Sequence, residues 1–151
     1  MTVGLRRARR EDIPFVLRML NDDPLGKTRE ILSDIIDPLY VQAFEAIDGD
    51  ANSELLIAER DGAVVGCLQL TLIPGISRHG ALRAQIESVR IAGHLRGNGI
   101  GTAMIDAALA RAKSRGAVFA QLTSDVRRTD ARRFYERLGF SASHIGFKRD
   151  L

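Results

Sequence analysis

The sequence predicts one α/β domain built around a single mixed β-sheet that carries helices on both faces. Short apolar runs rich in β-branched residues alternate with stretches of helical periodicity along the whole chain. Three of these runs follow one another with only turns between them, which predicts an antiparallel meander. A long helical stretch then leads to a further run, and such a crossover joins two parallel strands. The 151 residues can bury a substantial core, so we assign residues 1–151 to one domain.

The first third of the chain predicts an edge strand and three helices. Residues 2–8 are typical of a short strand, and Glu11 and Asp12 place negative charge where the next helix begins. The apolar stripe of that helix repeats at helical spacing and consists of Ile13, Val16, Leu17 and Leu20. Further helices are predicted over residues 28–36 and 39–47, separated by an Asp-Pro breaker.

Five extended segments and two helices are predicted in the rest of the chain. The pair Asp61-Gly62 is a strong two-residue hairpin signal, and Gly116 stands where a glycine ends a helix. The extended segments cover residues 54–60, 63–73, 83–91, 118–123 and 141–148. The helices cover residues 100–115 and 129–138, the second closed by Gly139.

The strongest functional signal lies between residues 85 and 102, where an apolar strand pattern ends and a long helix begins. Three glycines stand at alternate positions in the turn, namely Gly97, Gly99 and Gly101. Glycine permits positive φ and close approach of a ligand, while a helix N-terminus offers free N–H groups to an anion. The spacing fits neither the dinucleotide-binding glycine pattern nor the lysine-containing nucleotide loop. We therefore predict a phosphate site of another kind.

The pattern Arg96-x-x-Gly99-x-Gly101, followed by R-F-Y-E-R-L-G-F over residues 133–140, resembles the motifs of the GCN5-related N-acetyltransferase (GNAT) superfamily. The resemblance extends from the first predicted strand to the last. It implies a GNAT-like acyl-CoA N-acyltransferase fold with a central mixed sheet of six to seven strands flanked by helices. It also implies that acetyl-CoA is the cosubstrate and lies in a cleft where two parallel strands splay apart.

The resemblance assigns the pyrophosphate of acetyl-CoA to the glycine loop and its pantetheine to the strand before that loop. The loop residues expected there are Arg96, Gly97, Asn98, Gly99, Ile100, Gly101 and Thr102, and the strand residues are Val89, Arg90 and Ile91. Arg128 replaces an asparagine of many relatives, and it either meets the 3′-phosphate or faces water. Alternation fails between Ile86 and Ile91, which predicts either a β-bulge that frees backbone groups or a strand buried on both faces.

Acetyl transfer to an amine needs a base for the ammonium and benefits from an acid for the departing thiolate. Glu87 is the candidate base, because burial in an apolar strand would raise the pKa of its carboxyl group; a Glu paired with Arg83 or Arg90 is the alternative. The resemblance implies Tyr135 as the acid, since a phenol stays protonated at neutral pH; an ordinary helix-face tyrosine is the alternative. It also implies the backbone N–H of Val89 as the oxyanion donor.

We predict direct transfer in a ternary complex to a primary amine, with a small molecule as the expected acceptor. By the resemblance, the first helices and the loop between them shape the acceptor pocket, together with neighbouring strand residues and the loop over residues 74–80. The candidate acceptor residues are Leu25, Gly26, Arg29, Tyr40 and Gln69. Two alternatives remain open: a peptide or protein acceptor, and a non-catalytic acyl-CoA-binding module that acts as a sensor or interaction partner.

Composition argues against several other classes. The net charge is +3, but the basic residues are scattered and Trp is absent, so nucleic acid is not the expected partner; that alternative rests on Arg127, Arg128, Arg132 and Arg133. No apolar run approaches the roughly 20 residues of a membrane span, and the lone Cys67 fits a reducing cytoplasm. No residue set has metal-ligand spacing, so no metal is expected. The resemblance also admits a homodimer through the terminal strands.

Overall fold

One mixed sheet of five strands forms the centre of the computed structural model, which describes residues 1–151. The strands are β1 (Gly4–Arg7), β2 (Ser53–Arg60), β3 (Ala63–Ile73), β4 (Arg83–Ile91) and β5 (Phe119–Gln121). They lie side by side in chain order, with antiparallel pairs from β1 to β4 and a parallel pair between β4 and β5. The predicted meander and crossover are confirmed, but the expected count of six to seven strands is wrong.

Helices cover both faces of this sheet. They are α1 (Ile13–Asn21), α2 (Pro38–Asp48), the single turn α3 (Ser77–Gly80), α4 (Ile100–Ser114) and α5 (Thr129–Arg137), with 3₁₀ turns at Arg10–Asp12, Gly26–Thr28 and Gly93–Leu95. On one face, Met104 of α4 packs in a buried cluster with Leu68 and Ile86. On the other face, Val16 of α1 packs with Ile57, and α2 completes the layer. None of the helices is long and apolar enough to cross a membrane.

Backbone angles confirm the local turn predictions. Asp61 and Gly62 both have positive φ, 52° and 77°, as a two-residue hairpin between β2 and β3 requires. Gly116 follows α4 with a φ of 96°, and Gly139 follows α5 with a φ of 89°. These conformations are inexpensive for glycine and tolerated by Asp, so residue type predicted these three turns.

The predicted helix over residues 28–36 is wrong. The 3₁₀ turn at Gly26–Thr28 is followed by irregular backbone as far as α2. The apolar side chains of Ile31, Leu32 and Ile35 are 57%, 48% and 82% exposed. A helix this short is marginal in water unless an apolar face is buried, and the fold offers this segment no surface to pack against.

The predicted strand over residues 141–148 is also absent. Residues 141–151 are exposed throughout and belong to no strand, and Ile145 and Phe147 are 82% and 92% exposed. β5 is therefore the last strand of the sheet, and its outer edge is unpaired.

A buried carboxylate joins β2 to α4. The side chain of Glu54 is 3% exposed, and Arg111 donates to both of its oxygens, from Nε at 2.8 Å and from Nη2 at 2.6 Å. Arg115 forms a further ion pair with it at 3.1 Å. The hydrogen bonds from Arg111 hold the pKa of Glu54 below its ordinary value, although burial acts in the opposite direction.

Glu54→Gln is expected to lower the free energy of unfolding by about 1–2 kcal/mol at pH 7, because Arg111 and Arg115 lose their charged acceptor. The loss is limited because the exposed parts of both guanidinium groups can bond to water instead. Since the folded-state pKa is depressed, this stabilisation exists above the ordinary pKa of 4.5 and is lost as the pH falls through the depressed value. Urea unfolding at pH 7 and pH 3 should therefore show a difference that shrinks in acid. Glu59→Gln is the control, because Glu59 is 37% exposed; equal losses for both variants would contradict the argument.

Candidate active site

The sheet opens between β4 and β5. The two strands pair over a short stretch that ends with Gln85 opposite Gln121. β5 stops there, whereas β4 continues to Ile91. The edge of β4 that faces β5 therefore has no strand partner over residues 86–91. Such an edge leaves N–H and C=O groups free to bond a ligand that contains amides.

A β-bulge distorts β4 within the same stretch. Ser88 and Val89 together oppose Leu68, because the register with β3 shifts between Cys67 and Gln69. Ser88 has a φ of 54°, a left-handed conformation that is uncommon for residues other than glycine. The bulge confirms one of the two predictions drawn from the broken alternation of this strand. The other, burial on both faces, is wrong because Ser88 is exposed.

The glycine loop leads directly into α4. Gly97 and Gly99 have φ angles of 82° and 75°. Gly99 is the N-cap residue of α4 and no side chain caps this helix, so its first N–H groups remain available. A Cβ atom on Gly97 would find no atom within 4 Å, and Asn98 and Thr102 are exposed while Ile100 is buried. An uncapped helix N-terminus beside open space fits a phosphate group.

Two contacts hold the glycine loop in place. Arg96 donates from Nη2 to the backbone oxygen of Asp22 at 2.7 Å and to its carboxylate at 3.1 Å. A Cβ atom on Gly101 would lie 3.2 Å from the ring of Phe134, which shows how closely α5 packs on the first turn of α4. The loop is thus tied on one side to the segment after α1 and on the other side to α5.

Glu87 is exposed, so the predicted burial of this carboxylate is wrong. It pairs in register with Gln69, but it lies where β4 has lost its β5 partner, and no other element covers it. The alternative of an ion pair is not realised either, because Arg90 lies against Asp23 instead.

Tyr135 belongs to an aromatic group on α5 and the segment after it. Its ring makes edge contacts with Phe134 and Phe140, with centroids 5.1 and 5.8 Å apart. Burial raises the pKa of its phenol, while the positive charges of Arg90 and Arg128 act in the opposite direction. The hydroxyl is therefore protonated at neutral pH, as a proton donor must be.

Two arginines converge on Asp23 beside this tyrosine. Arg128 forms a bidentate pair with Asp23 at 2.5 and 2.7 Å, and Arg90 lies 3.9 Å from the same carboxylate. The expectation that Arg128 faces water is wrong, because its side chain is 25% exposed and bound to Asp23. A contact between Arg128 and the 3′-phosphate would require this pair to break.

A largely apolar cavity of about 120 Å³ lies between α1, α2 and the sheet. Tyr40 and Gln69, two of the predicted acceptor residues, line it together with Ser88 of the bulge. The hydroxyl of Tyr40 donates to Glu30 at 2.8 Å and accepts from the N–H of Ile31 at 2.9 Å. The structure therefore joins part of the predicted acceptor set to the bulged strand.

The other predicted acceptor residues do not line this cavity, and neither does the loop over residues 74–80. Gly26 is buried, and a Cβ atom there would lie 1.9 Å from the carbonyl oxygen of Leu20, so it shapes the loop after α1. Leu25 is half-buried beside it. Arg29 pairs with Asp125 at 3.4 Å.

Sequence reasoning missed two residues of this region. Ser88 lines the cavity and marks the bulge, and the broken alternation of the strand was the signal that locates it. Asp23 binds Arg128 across 105 positions of sequence, and no local pattern signals such a contact.

A sheet that opens beside a bulged strand, with an uncapped glycine loop at its end, defines a domain for a ligand that carries both phosphate and amide groups. Comparison with known proteins gives the family. The model of the Acetyltransferase (GNAT) family matches residues 16–140, and the chain belongs to that family. It is accordingly an N-acetyltransferase, and acetyl-CoA is the cosubstrate of its family. The predicted family, fold class and enzyme class are confirmed.

Three individual proteins illustrate what the chain is similar to. The aminoalkylphosphonate N-acetyltransferase of Salmonella typhimurium is 30% identical over 95% of this chain and 97% of its own length. A Bacillus halodurans C-125 protein, described as a transcriptional regulator, has a crystal structure that is 44% identical, with a TM-score of 0.94 over 99% of both chains. A predicted acetyltransferase of Clostridium acetobutylicum, solved with acetyl-CoA, shares the fold at 20% identity, with a TM-score of 0.74 over 99% of this chain and 96% of that one.

Proposed function

We propose that this protein transfers the acetyl group of acetyl-CoA to the primary amine of a small molecule by direct attack in a ternary complex. The observation that carries the proposal is the unpaired, bulged edge of β4, which runs from the glycine loop toward the apolar cavity. The name of the Salmonella relative describes a small-molecule acceptor.

The cosubstrate has a coherent set of partners in this proposal. The glycine loop, residues 96–102, receives the pyrophosphate at the N-terminus of α4, and the backbone of Val89, Arg90 and Ile91 bonds the pantetheine amides along the open edge. Acetyl-CoA, when bound, supplies the acetyl thioester. The open space over Gly97 and the missing strand partner of residues 86–91 both support this fit.

Two side chains supply the proton transfers. The exposed carboxylate of Glu87 takes the proton of the acceptor ammonium, directly or through water, so that the neutral amine can attack. The phenol of Tyr135 donates its proton to the departing thiolate, a role supported by the raised pKa of this buried side chain. The backbone N–H of Val89, within the bulge, donates to the oxygen that gains negative charge.

A nucleic-acid-binding function has little support from the basic residues that suggested it. Each of the four arginines lies near an acidic group, whose negative charge offsets the positive potential of the arginine. The pairs are Arg127 with Asp125, Arg128 with Asp23, Arg132 with Glu136, and Arg133 with Asp130. The four arginines that suggested nucleic-acid binding therefore each have an acidic neighbour.

Calorimetric titration with acetyl-CoA, free coenzyme A and ATP, followed by thiol release with a panel of amines, tests the proposal. We expect micromolar binding of the two coenzyme A compounds but not of ATP, and turnover with at least one small amine. Binding without turnover of any small amine or peptide would favour the non-catalytic module. Turnover of peptides alone would favour a peptide acceptor, and absence of binding would overturn the cofactor assignment.

A further inference from the structure

Beside the candidate acid Tyr135, two guanidinium groups share one carboxylate. Arg90 and Arg128 both approach Asp23, and the cluster therefore carries one positive charge that no neighbouring group in it balances. Exposed charges of this kind are neutralised by solvent ions, but a half-buried one attracts a specific anion more strongly, since the local dielectric constant is lower. The question is which of the two arginines is free to bind such an anion.

Asp23 is already occupied by partners other than Arg90. Its two oxygens accept the bidentate pair from Arg128 at 2.5 and 2.7 Å, and one of them also accepts the N–H of Gly26 at 2.7 Å. The hydrogen bonding from Arg128 is the largest cause that lowers the pKa of Asp23, to about 2, and the hydrogen bond from Gly26 acts in the same direction. Arg90 remains at 3.9 Å, which is beyond hydrogen-bond distance.

Arg90 has more donors than partners. Its Nη1 donates to the carbonyl oxygen of Val89 at 2.9 Å, while its Nε is a buried side-chain atom with no hydrogen-bond partner. The side chain is 20% exposed, so part of the guanidinium is within reach of a ligand. A guanidinium carries five N–H donors in a planar fork that matches a carboxylate or phosphonate.

The free N–H donors of Arg90 lie on the side of the sheet where the acceptor is expected. Arg90 follows the bulge directly and pairs in register with Cys67, which packs on the α1 side of the sheet. Its side chain therefore lies on the face that holds the apolar cavity, while its backbone belongs to the open edge of β4. The guanidinium also lies near the phenol of Tyr135, since the positive charge of Arg90 acts on the pKa of that phenol.

We propose that Arg90 binds an acidic group of the acceptor, and that the acceptor is a small primary amine carrying a carboxylate or phosphonate. This inference rests on the proposed acetyl transfer for the reaction itself. Arg128 adds positive charge to the same site, and Asp23 holds Arg128 in place.

The test compares three amines with the same two-carbon spacer: β-alanine, 2-aminoethylphosphonate and ethanolamine, which has no acidic group. For the wild-type protein we expect kcat/KM to be about 10- to 100-fold higher for the acidic amines, the range of a charge-assisted hydrogen bond. Arg90→Gln should remove this preference by raising KM for the acidic amines more than for ethanolamine, and Arg90→Lys should restore part of the preference. Arg83→Gln, in the same strand but at its other end, is the matched control.

Binding of the acidic amines to the protein with coenzyme A, measured by calorimetry, keeps this test separate from the proposed function. Loss of binding in Arg90→Gln supports the anion site even if no amine is acetylated. Absence of acetylation would count only against the proposed acetyl transfer. Equal binding and equal turnover of the acidic amines and ethanolamine, or an unchanged preference in Arg90→Gln, would overturn the inference.

Discussion

Gly99→Glu is expected to weaken coenzyme A binding by about 100-fold or more. Gly99 caps α4 with a φ of 75°, and a carboxylate there would occupy the space assigned to pyrophosphate and repel it at the helix N-terminus. The loss of charge-assisted hydrogen bonds to the loop N–H groups accounts for a change of this size. Calorimetric titration with free coenzyme A measures it without interference from turnover.

Gly99→Ala separates charge from backbone strain in this experiment. Alanine at positive φ costs about 1 kcal/mol of folding free energy, but it adds neither charge nor length. Its affinity for coenzyme A should therefore stay much closer to that of the wild type, while thermal unfolding reports the strain. If Gly99→Glu binds coenzyme A as tightly as the wild type, the glycine loop is not the pyrophosphate site.

Tyr135→Phe is expected to lower kcat by about 100- to 1,000-fold with little change in the affinity for acetyl-CoA. The substitution keeps the aromatic contacts with Phe134 and Phe140 and removes only the hydroxyl, which general acid catalysis would use. Because burial raises the pKa of Tyr135, the wild-type rate should show no loss from its ionisation below about pH 10. Steady-state kinetics from pH 6 to pH 10 measure both effects.

Glu87→Gln is the comparison variant, since a base and an acid respond to pH differently. Its turnover should fall most at low pH, where the acceptor amine is protonated, and should recover as the free amine becomes abundant. Tyr135→Phe should instead remain slow across the range. Wild-type rates in Tyr135→Phe would show that Tyr135 is an ordinary helix-face tyrosine and not the acid. Wild-type rates in Glu87→Gln would show that Glu87 is not the base.

Local chemistry made much of the fold predictable. The hairpin at Asp61-Gly62 and the helix ends at Gly116 and Gly139 follow from residues that tolerate positive φ. The β-bulge in β4 was one of two explanations of the broken alternation, because side-chain direction along a strand has a period of two, and the structure decided between them. The glycine loop was recognisable from its three alternate glycines, because glycine permits positive φ and leaves backbone groups accessible.

Other features of the site depend on which elements meet in space. The helix expected over residues 28–36 had an apolar pattern but finds no surface to pack against, and burial, not propensity, stabilises short helices. Glu87 was expected to be buried because its neighbours are apolar, yet β5 ends before reaching it. Its exposure is a property of the neighbouring strand and cannot be read from its own.

The sequence by itself determined the fold class and the position of the glycine loop, because both depend on short patterns of backbone conformation and periodicity. The family followed from the resemblance of two motifs to those of its members. Only the tertiary structure decided how the charges around the loop are shared. Asp22 contacts Arg96, and Asp23 takes Arg128 and leaves Arg90 with donors to spare. The physical reason is that an ion pair is set by distance and burial in three dimensions, and the partners here lie far apart in sequence.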